Sequence, residues 1–437
     1  RWARIYYIER IQGGTVDAGT TDIRITFDFT EAGLSLSTDR VYYLLYRAGT
    51  SGTFSAVPGG TGMASDGKVS INVSSANFAS GYYTIVRSDQ EVKTWYAIKD
   101  GNWDEFDTWS STPDYPDFPP LNEIPGIMDR AVIQNNKTVT VRFDNTECGI
   151  LDVIDGIVDF GTTTGNSFST ITGQTNGKIR LAADNFPSGD ASGFADVSTG
   201  GTVEYYGTGY DLATSRTYRN MIVNLTNPTD QLTLLSNYTL NGSLTISRGE
   251  FHFGNGSSTV DRTLTIYENI EVSADGTIRT GSANARHQLD LYGDFTNYGD
   301  IQFTNRTTAI YNSEATDGIV DVNFLSATRN QNMILEGETR FYRIAIEKGI
   351  SNTYELYMEA TDANNFKLFG FANEGHPDNS QLTSNDNAFG LAYGTVRVGP
   401  NITISQLNGN GNYNVSENAI LWVDGGTVTK PSGTAVV

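Results

Sequence analysis

Three aliphatic residues, Leu240, Ile266 and Leu291, recur at intervals of 26 and 25 residues, and this spacing constrains the fold more than any other feature. A second set, Leu244, Ile270 and Phe295, keeps the same two intervals. Corner glycines follow in step at Gly249, Gly276 and Gly299, each with an apolar residue two positions on: Phe251, Ile278 and Ile301. Such short apolar pairs, separated by Gly, Asn or Asp, suit strands of a few residues joined by tight turns. A repeat of this length fits one winding of a parallel β-helix, in which each strand stacks on its equivalent about 4.8 Å away. An array of ordinary sandwiches would show longer strands and no aligned apolar positions.

Composition agrees with that expectation. A chain of 437 residues exceeds one ordinary core, so it must divide into domains or grow by stacking. Its 46 Gly, 23 Tyr and 21 Phe, set against 11 Pro and 5 Met, are strand and turn chemistry. Weaker echoes extend the repeat from about residue 130: segments 156–160, 201–205 and 318–322 share a Gly-x-Val-acid-apolar signature, and 218–223 resembles 342–346.

Residues 1–90 read differently. Alternating runs at 23–29, 41–46, 68–73 and 82–87, separated by glycine-rich turns, suit a small antiparallel sandwich of immunoglobulin-like type. Segment 88–95 reads as a connector, and prolines crowd between 113 and 125, which excludes a central strand or helix interior there. The expected architecture is all-β: an immunoglobulin-like antiparallel β-sandwich over 1–90, a connector and Trp/Pro-rich cap over 91–129 pinned by Trp103 and Trp109, and a right-handed parallel β-helix over 130–437.

The formal net charge of -21 would repel phosphate backbones and anionic lipid headgroups, so neither nucleic acid nor membrane insertion is expected. No window approaches the roughly 20 apolar residues that span a bilayer. The chain opens at Arg1 without a charged and apolar leader, which reads as a piece of a longer protein whose export signal lies elsewhere. Cys148 is the only cysteine, so no internal disulfide forms, and beside Gly149 and Ile150 it reads as a small core residue.

The entry to the repeat carries a family likeness. Gly101, Trp103, Trp109, Ser110, Pro125, Gly126 and Asp129 lead into an apolar strand and then a Thr-Val-Thr-Val strand. This order resembles the Trp-rich motif of large secreted cell-surface proteins of Bacteroidota, and the segments beginning at Thr217, Thr239, Gln288 and Asn418 are similar to the same proteins' β-helix coils. The resemblance implies export by the type IX secretion system and display at the cell surface as part of an adhesin, gliding-motility adhesins included. It implies the secretion machinery and surface glycans or proteins as partners.

Catalysis is the competing reading, because parallel β-helices often carry polysaccharide-cleaving enzymes. Paired carboxylates are offered by Asp290 with Asp294 and by Asp152, Asp155 and Asp159, each beside a corner glycine where a solvated turn carboxylate is the simpler reading. The tripeptide at 385–387 lacks the paired Asp and Gly-His-Gly elements that a polygalacturonase needs. His252, His287 and His376 stand apart from one another and from Cys148, which argues against zinc, and His252 between Phe251 and Phe253 should point outward.

Structural calcium is the one cofactor that composition leaves open, through Asp184, Asn185, Asp190, the pair Asn364 and Asn365, and the run at 408–418. Turn and ladder roles explain the same residues. The Asn-x-Ser/Thr matches at Asn136, Asn224, Asn241 and Asn305 follow from composition, and the glycines at 59–62 open no helix that would cradle phosphate. Tyr205, Tyr206 and Tyr210 offer either a sugar-stacking patch or core stacking. The chain therefore reads as a non-enzymatic β-helical stalk; the alternatives are a polysaccharide-active enzyme or binding module, and a coat or lattice subunit.

Overall fold

A computed structural model describes residues 5–9, 11–12, 15–16, 22–30, 36–51, 54–88, 92–113, 123–256, 258–282, 284–309, 318–370, 388–405, 407, 413 and 415–429. Among them the fold is all-β, with 3-10 turns at Ser75–Asn77, Phe106–Thr108 and Ala363–Asn365 and no α-helix. Parallel pairing dominates, in a sheet of 24 strands, and a six-stranded antiparallel sheet stands beside it in the topology. The chain forms two compact units, Arg1–Leu181 with Asn185–Thr202, and Ala182–Asp184 with Val203–Val437.

In the first unit the antiparallel strands are ordered Tyr6–Ile8, Gly81–Arg87, Val41–Arg47, Ser55–Ser65, Lys68–Val73 and Ile23–Asp28. Alternation sends Phe27, Leu44, Val69, Ile71, Tyr83 and Ile85 into one core. The long strand Ser55–Ser65 changes partner along its length, from Val41–Arg47 to Lys68–Val73, so the sheet curls around that core. The glycines at 59–62 belong to this strand, where a Cβ on Gly62 would lie 2.4 Å from the Ser70 carbonyl oxygen.

Parallel pairing begins earlier than residue 130, at Thr94–Ala97, inside the stretch expected to be a connector. This strand bonds to Arg130–Ile133, which bonds to Glu147–Val153, which bonds to Ser167–Gly173. Trp95, Ala131, Leu151 and Ile171 thereby form one buried row. A second ladder sets Val139, Val158 and Ile179 in a parallel row, also buried. Trp103 and Trp109 are buried against one another: the rings meet edge-on at 5.0 Å, and Trp109 Nε1 donates to the Trp103 carbonyl at 2.9 Å. The proline-rich stretch lies mostly outside the described residues. The Arg24–Asp190 ion pair at 3.0 Å ties the antiparallel sheet to the ladder.

The second unit is organised by three columns. Tyr218, Leu240, Ile266, Leu291, Phe324, Ile346 and Leu391 stand in direct parallel register. So do Met221, Leu244, Ile270, Phe295, Met333, Met358 and Val398. The third runs through Leu232, Phe251, Ile278, Ile301, Thr339 and Phe366. Every member of the three is buried. The rows anticipated at 240, 266 and 291 and at 244, 270 and 295 are therefore present in the register expected of them.

One expected echo is out of step. Segment 342–346 looks like 218–223, yet Ile346, not Tyr342, shares the column of Tyr218. Short apolar alternation recurs along the chain, so local likeness alone cannot fix register.

The corners explain the glycines. Gly249 lies opposite Gly276 and has φ +103°, and the pairing shifts register just before it. A Cβ on Gly249 would lie 2.8 Å from the Leu225 side chain, and one on Gly276 2.4 Å from the Ile246 carbonyl oxygen. Only glycine meets both demands at the turn.

With no disulfide, stability rests on these columns and their ladders. Leu289 is fully buried between Leu264 and Val322. Leu289→Ala should cost about 2–5 kcal/mol, as large-to-small changes in close-packed cores do. The expected result in urea denaturation is a lower midpoint for the second unit, whereas a column open to solvent would give almost no change.

Candidate functional site

The candidate site lies on a stacked corner of the first unit. Strands Arg130–Ile133, Glu147–Val153 and Ser167–Gly173 bring Val132, Asp152 and Thr172 side by side. The turns that follow stack as well: Ile154 N–H donates to the Ile133 carbonyl at 2.9 Å, and Gln174 N–H to that of Val153 at 3.0 Å. Against this corner lies a cavity of about 570 Å³ whose wall includes Arg130, Asp152, Asp155, Thr172, Gln174 and Asn176.

Asp152 is 4% exposed, and its two oxygens are taken by the Arg130 guanidinium and the Thr172 hydroxyl. It is not the solvated turn carboxylate expected of it. Strand alternation turns it outward, and the two partners offset its burial. Asp155 accepts the Asn135 N–H on one oxygen. Asp159 lies on the other ladder, paired with Arg180 at 3.0 Å. The structure thus brings two of these three acids to the cavity. Gln174, Thr175 and Asn176 are exposed, and among the described residues their side chains make no hydrogen bond.

Asp290 and Asp294 serve the ladder. Asp290 accepts from Gln288 and Asn323 side-chain amides at 2.8 Å each, and Asp294 accepts the Asn332 N–H at 2.7 Å. Residues 385–387 and His376 lie outside the described residues.

His252 turns outward between the buried Phe251 and Phe253, as expected, and meets Glu250 at 2.8 Å. His287 is fully buried, with Nε2 2.8 Å from the Ser282 hydroxyl. This is not the arrangement of a Ser–His nucleophile, because Nδ1 accepts the Arg262 backbone N–H at 3.2 Å. That bond assigns the neutral ring's proton to Nε2, which then donates to Ser282 rather than accepting from it. Burial and, secondarily, the nearby Arg262 guanidinium push His287 down to about 4.

The residues that composition leaves open for calcium are engaged with backbone and side-chain partners. Asp184 accepts the Ala213 N–H at 2.9 Å, Asn185 donates to the carbonyls of Gly161 and Thr163 at 3.0 and 2.7 Å, and Asp190 pairs with Arg24. Asn364 turns back onto Asp362 at 2.9 Å, and Asn365 reaches the Leu335 carbonyl at 3.3 Å. The habit is general in the second unit. Asn237, Asp261, Asn269 and Asn330 accept the N–H groups of Thr263, Arg286, Asp294 and Glu355, each about one repeat on, at 2.7–2.9 Å. No group of three metal-ligating side chains occurs among the described residues. Of the run at 408–418, residues 408–412 and 414 lie outside the described residues.

Tyr205, Tyr206 and Tyr210 do not form an exposed patch. Tyr205 is fully buried and shares a hydroxyl hydrogen bond of 2.7 Å with Tyr218. The outward aromatics are others: Tyr267 stacks on Tyr292 at 4.9 Å, and the Arg397 guanidinium lies 4.9 Å from the Tyr357 ring and 4.5 Å from that of Trp422. Their positions next to column residues carried that signal in the sequence. Of the glycosylation-like sites, Asn305 spends its amide group on the Ser282 carbonyl and Thr280 hydroxyl.

Two measurements follow from buried titratable groups. The unfolded state protonates His287 near its ordinary 6.5 while the folded state resists down to about 4, so the neutral ring's contribution is complete above pH 6.5. It is lost as pH falls toward about 4, a difference of about 3 kcal/mol. Urea titrations from about pH 7.5 to about pH 4.5 should show a slope that His287→Gln flattens by one proton. An unchanged slope would place the titration elsewhere. Cys148 is buried and its thiol is pushed up to about 12 by desolvation. It should resist a thiol-specific chromogenic disulfide at about pH 8 until the chain is unfolded; rapid labelling of the folded chain would contradict this burial.

No protein-family model, curated protein or solved structure matches the chain.

Proposed function

We propose that this chain is a non-enzymatic segment of an exported surface protein, in which a right-handed parallel β-helix acts as a stiff stalk and a small immunoglobulin-like sandwich accompanies it. The observation that carries the reading is the set of three buried columns in the second unit, each with its residues in direct register. Backbone hydrogen bonds between successive parallel strands resist bending, and each repeat buries its apolar face only against its neighbours. A net charge of -21 keeps copies apart. No helix among the described residues is long and apolar enough to cross a membrane.

Display on a Bacteroidota cell surface by type IX secretion, in an adhesin that meets glycans or proteins, is the part of the reading that rests on the entry motif around Trp103 and Trp109. Antibodies against the purified chain test it on intact cells of the source organism. The expected result is surface labelling that is removed by mild external protease and abolished in a strain lacking the type IX machinery. Protein confined to the cell interior in both strains would refute it.

A further inference from the structure

From the corner cavity of the first unit we infer a binding site for a neutral oligosaccharide. This extends the surface reading by naming a ligand class, while its test stands independently of where the chain is displayed.

In the second unit, Asn237, Asp261, Asn269 and Asn330 each clasp a backbone N–H of a neighbouring strand. At the corner 174–177, three consecutive side chains able to hydrogen-bond, Gln174, Thr175 and Asn176, are exposed and clasp nothing among the described residues. They add nothing evident to the stability of the ladder, yet they converge on a cavity of about 570 Å³.

The floor is built to stay in place. Asp152 is locked between Arg130 and Thr172, whose backbones belong to strands on either side of its own. A buried carboxylate with both oxygens occupied is costly to disturb, so Arg130 and Thr172 are held in fixed positions. The Gly173 turn is held likewise: a Cβ there would lie 2.5 Å from the Phe194 ring, so the ring packs flush against the backbone. The wall is therefore preorganised, which lowers the entropic cost of binding.

The chemistry of the wall selects the ligand. Arg130 supplies one positive charge and Asp152 and Asp155 two negative ones, which disfavours phosphate, sulfate or uronate groups. Asp152 has no free oxygen for a cation. The side chains left over are two amides, a hydroxyl and the second Asp155 oxygen, a mixture of donors and acceptors. Adjacent sugar hydroxyls, each both donor and acceptor, match that mixture. The three strands span about 10 Å at the spacing of paired strands, close to the length of two linked pyranose rings. Without an aromatic ring in the wall, affinity rests on hydrogen bonds and is weak.

Ligand-observed saturation-transfer NMR on the full chain suits weak binding and a protein of 47.6 kDa. The probes are cellohexaose, maltohexaose and mannohexaose, with hexagalacturonate as the anionic counterpart. At least one neutral oligomer should receive saturation, and Gln174→Ala combined with Asn176→Ala should weaken its binding by about tenfold or more. Both substitutions lie on an exposed turn, so the thermal melt should be unchanged, and Trp422→Ala should leave binding intact. Saturation of hexagalacturonate alone, of no oligomer, or of a neutral oligomer equally in the cavity variant would overturn the inference. So would loss of binding in Trp422→Ala, which would move the site to the outward Arg397 stack. Each outcome is separate from cell-surface labelling, which could fail while the cavity binds sugar.

Discussion

The structure depends on direct register between parallel strands one repeat apart. Each ladder bond fixes a residue over its equivalent, so one apolar choice is repeated down a column and one error would turn a whole strand inside out. Leu240, Ile266 and Leu291 are bound by this rule, and so are Phe251, Ile278 and Ile301. It also dictates where length can vary. The step from Leu291 to Phe324 and that from Ile346 to Leu391 are longer than the repeat, yet each of these pairs stands in direct parallel register.

The same constraint organises charge. Arginines reach carboxylates across neighbouring strands: Arg130 to Asp152, Arg180 to Asp159, Arg279 to Asp300, Arg286 to Asp321 and Arg397 to Asp424. The exposed members of this set contribute little stability each, because water screens them. Their consequence is arithmetic: 29 basic side chains cannot neutralise 50 acidic ones, so a surplus of carboxylate remains for the surface. Like charge of this kind opposes close lateral approach of copies, in keeping with the stalk proposed above.

How far the sequence could be read follows from the same physics. The columns near 240–301 were legible because aliphatic residues and corner glycines recur together, and both are forced, one by burial and one by backbone conformation. Tyr342 misled because its neighbours repeat a local pattern that register does not honour. The ladder of the first unit was hidden for a different reason. Its row Ala131, Leu151 and Ile171 recurs every 20 residues, a shorter step than that of the second unit, and its first member Trp95 stands in a stretch without alternation. The cavity was hidden with it, since Arg130, Asp152 and Thr172 become neighbours only once that register is known. Asp152 shows the limit most sharply. A carboxylate near a corner glycine is read as solvated, and only the partners on the flanking strands reveal that it is buried and held.

A ladder of this kind leaves few places for chemistry. Its inward side chains are committed to columns, many outward charges to cross-strand pairs, and many corner amides to clasping a neighbouring strand. What remains free is set by omission, at corners where a side chain able to clasp does not. Asn237, just before a strand, accepts the Thr263 N–H, whereas the side chain of Asn176, in the turn after Ser167–Gly173, clasps nothing among the described residues. An amide left unspent beside a rigid floor meets a ligand without first breaking a bond of its own, which is what the proposed binding at this corner uses.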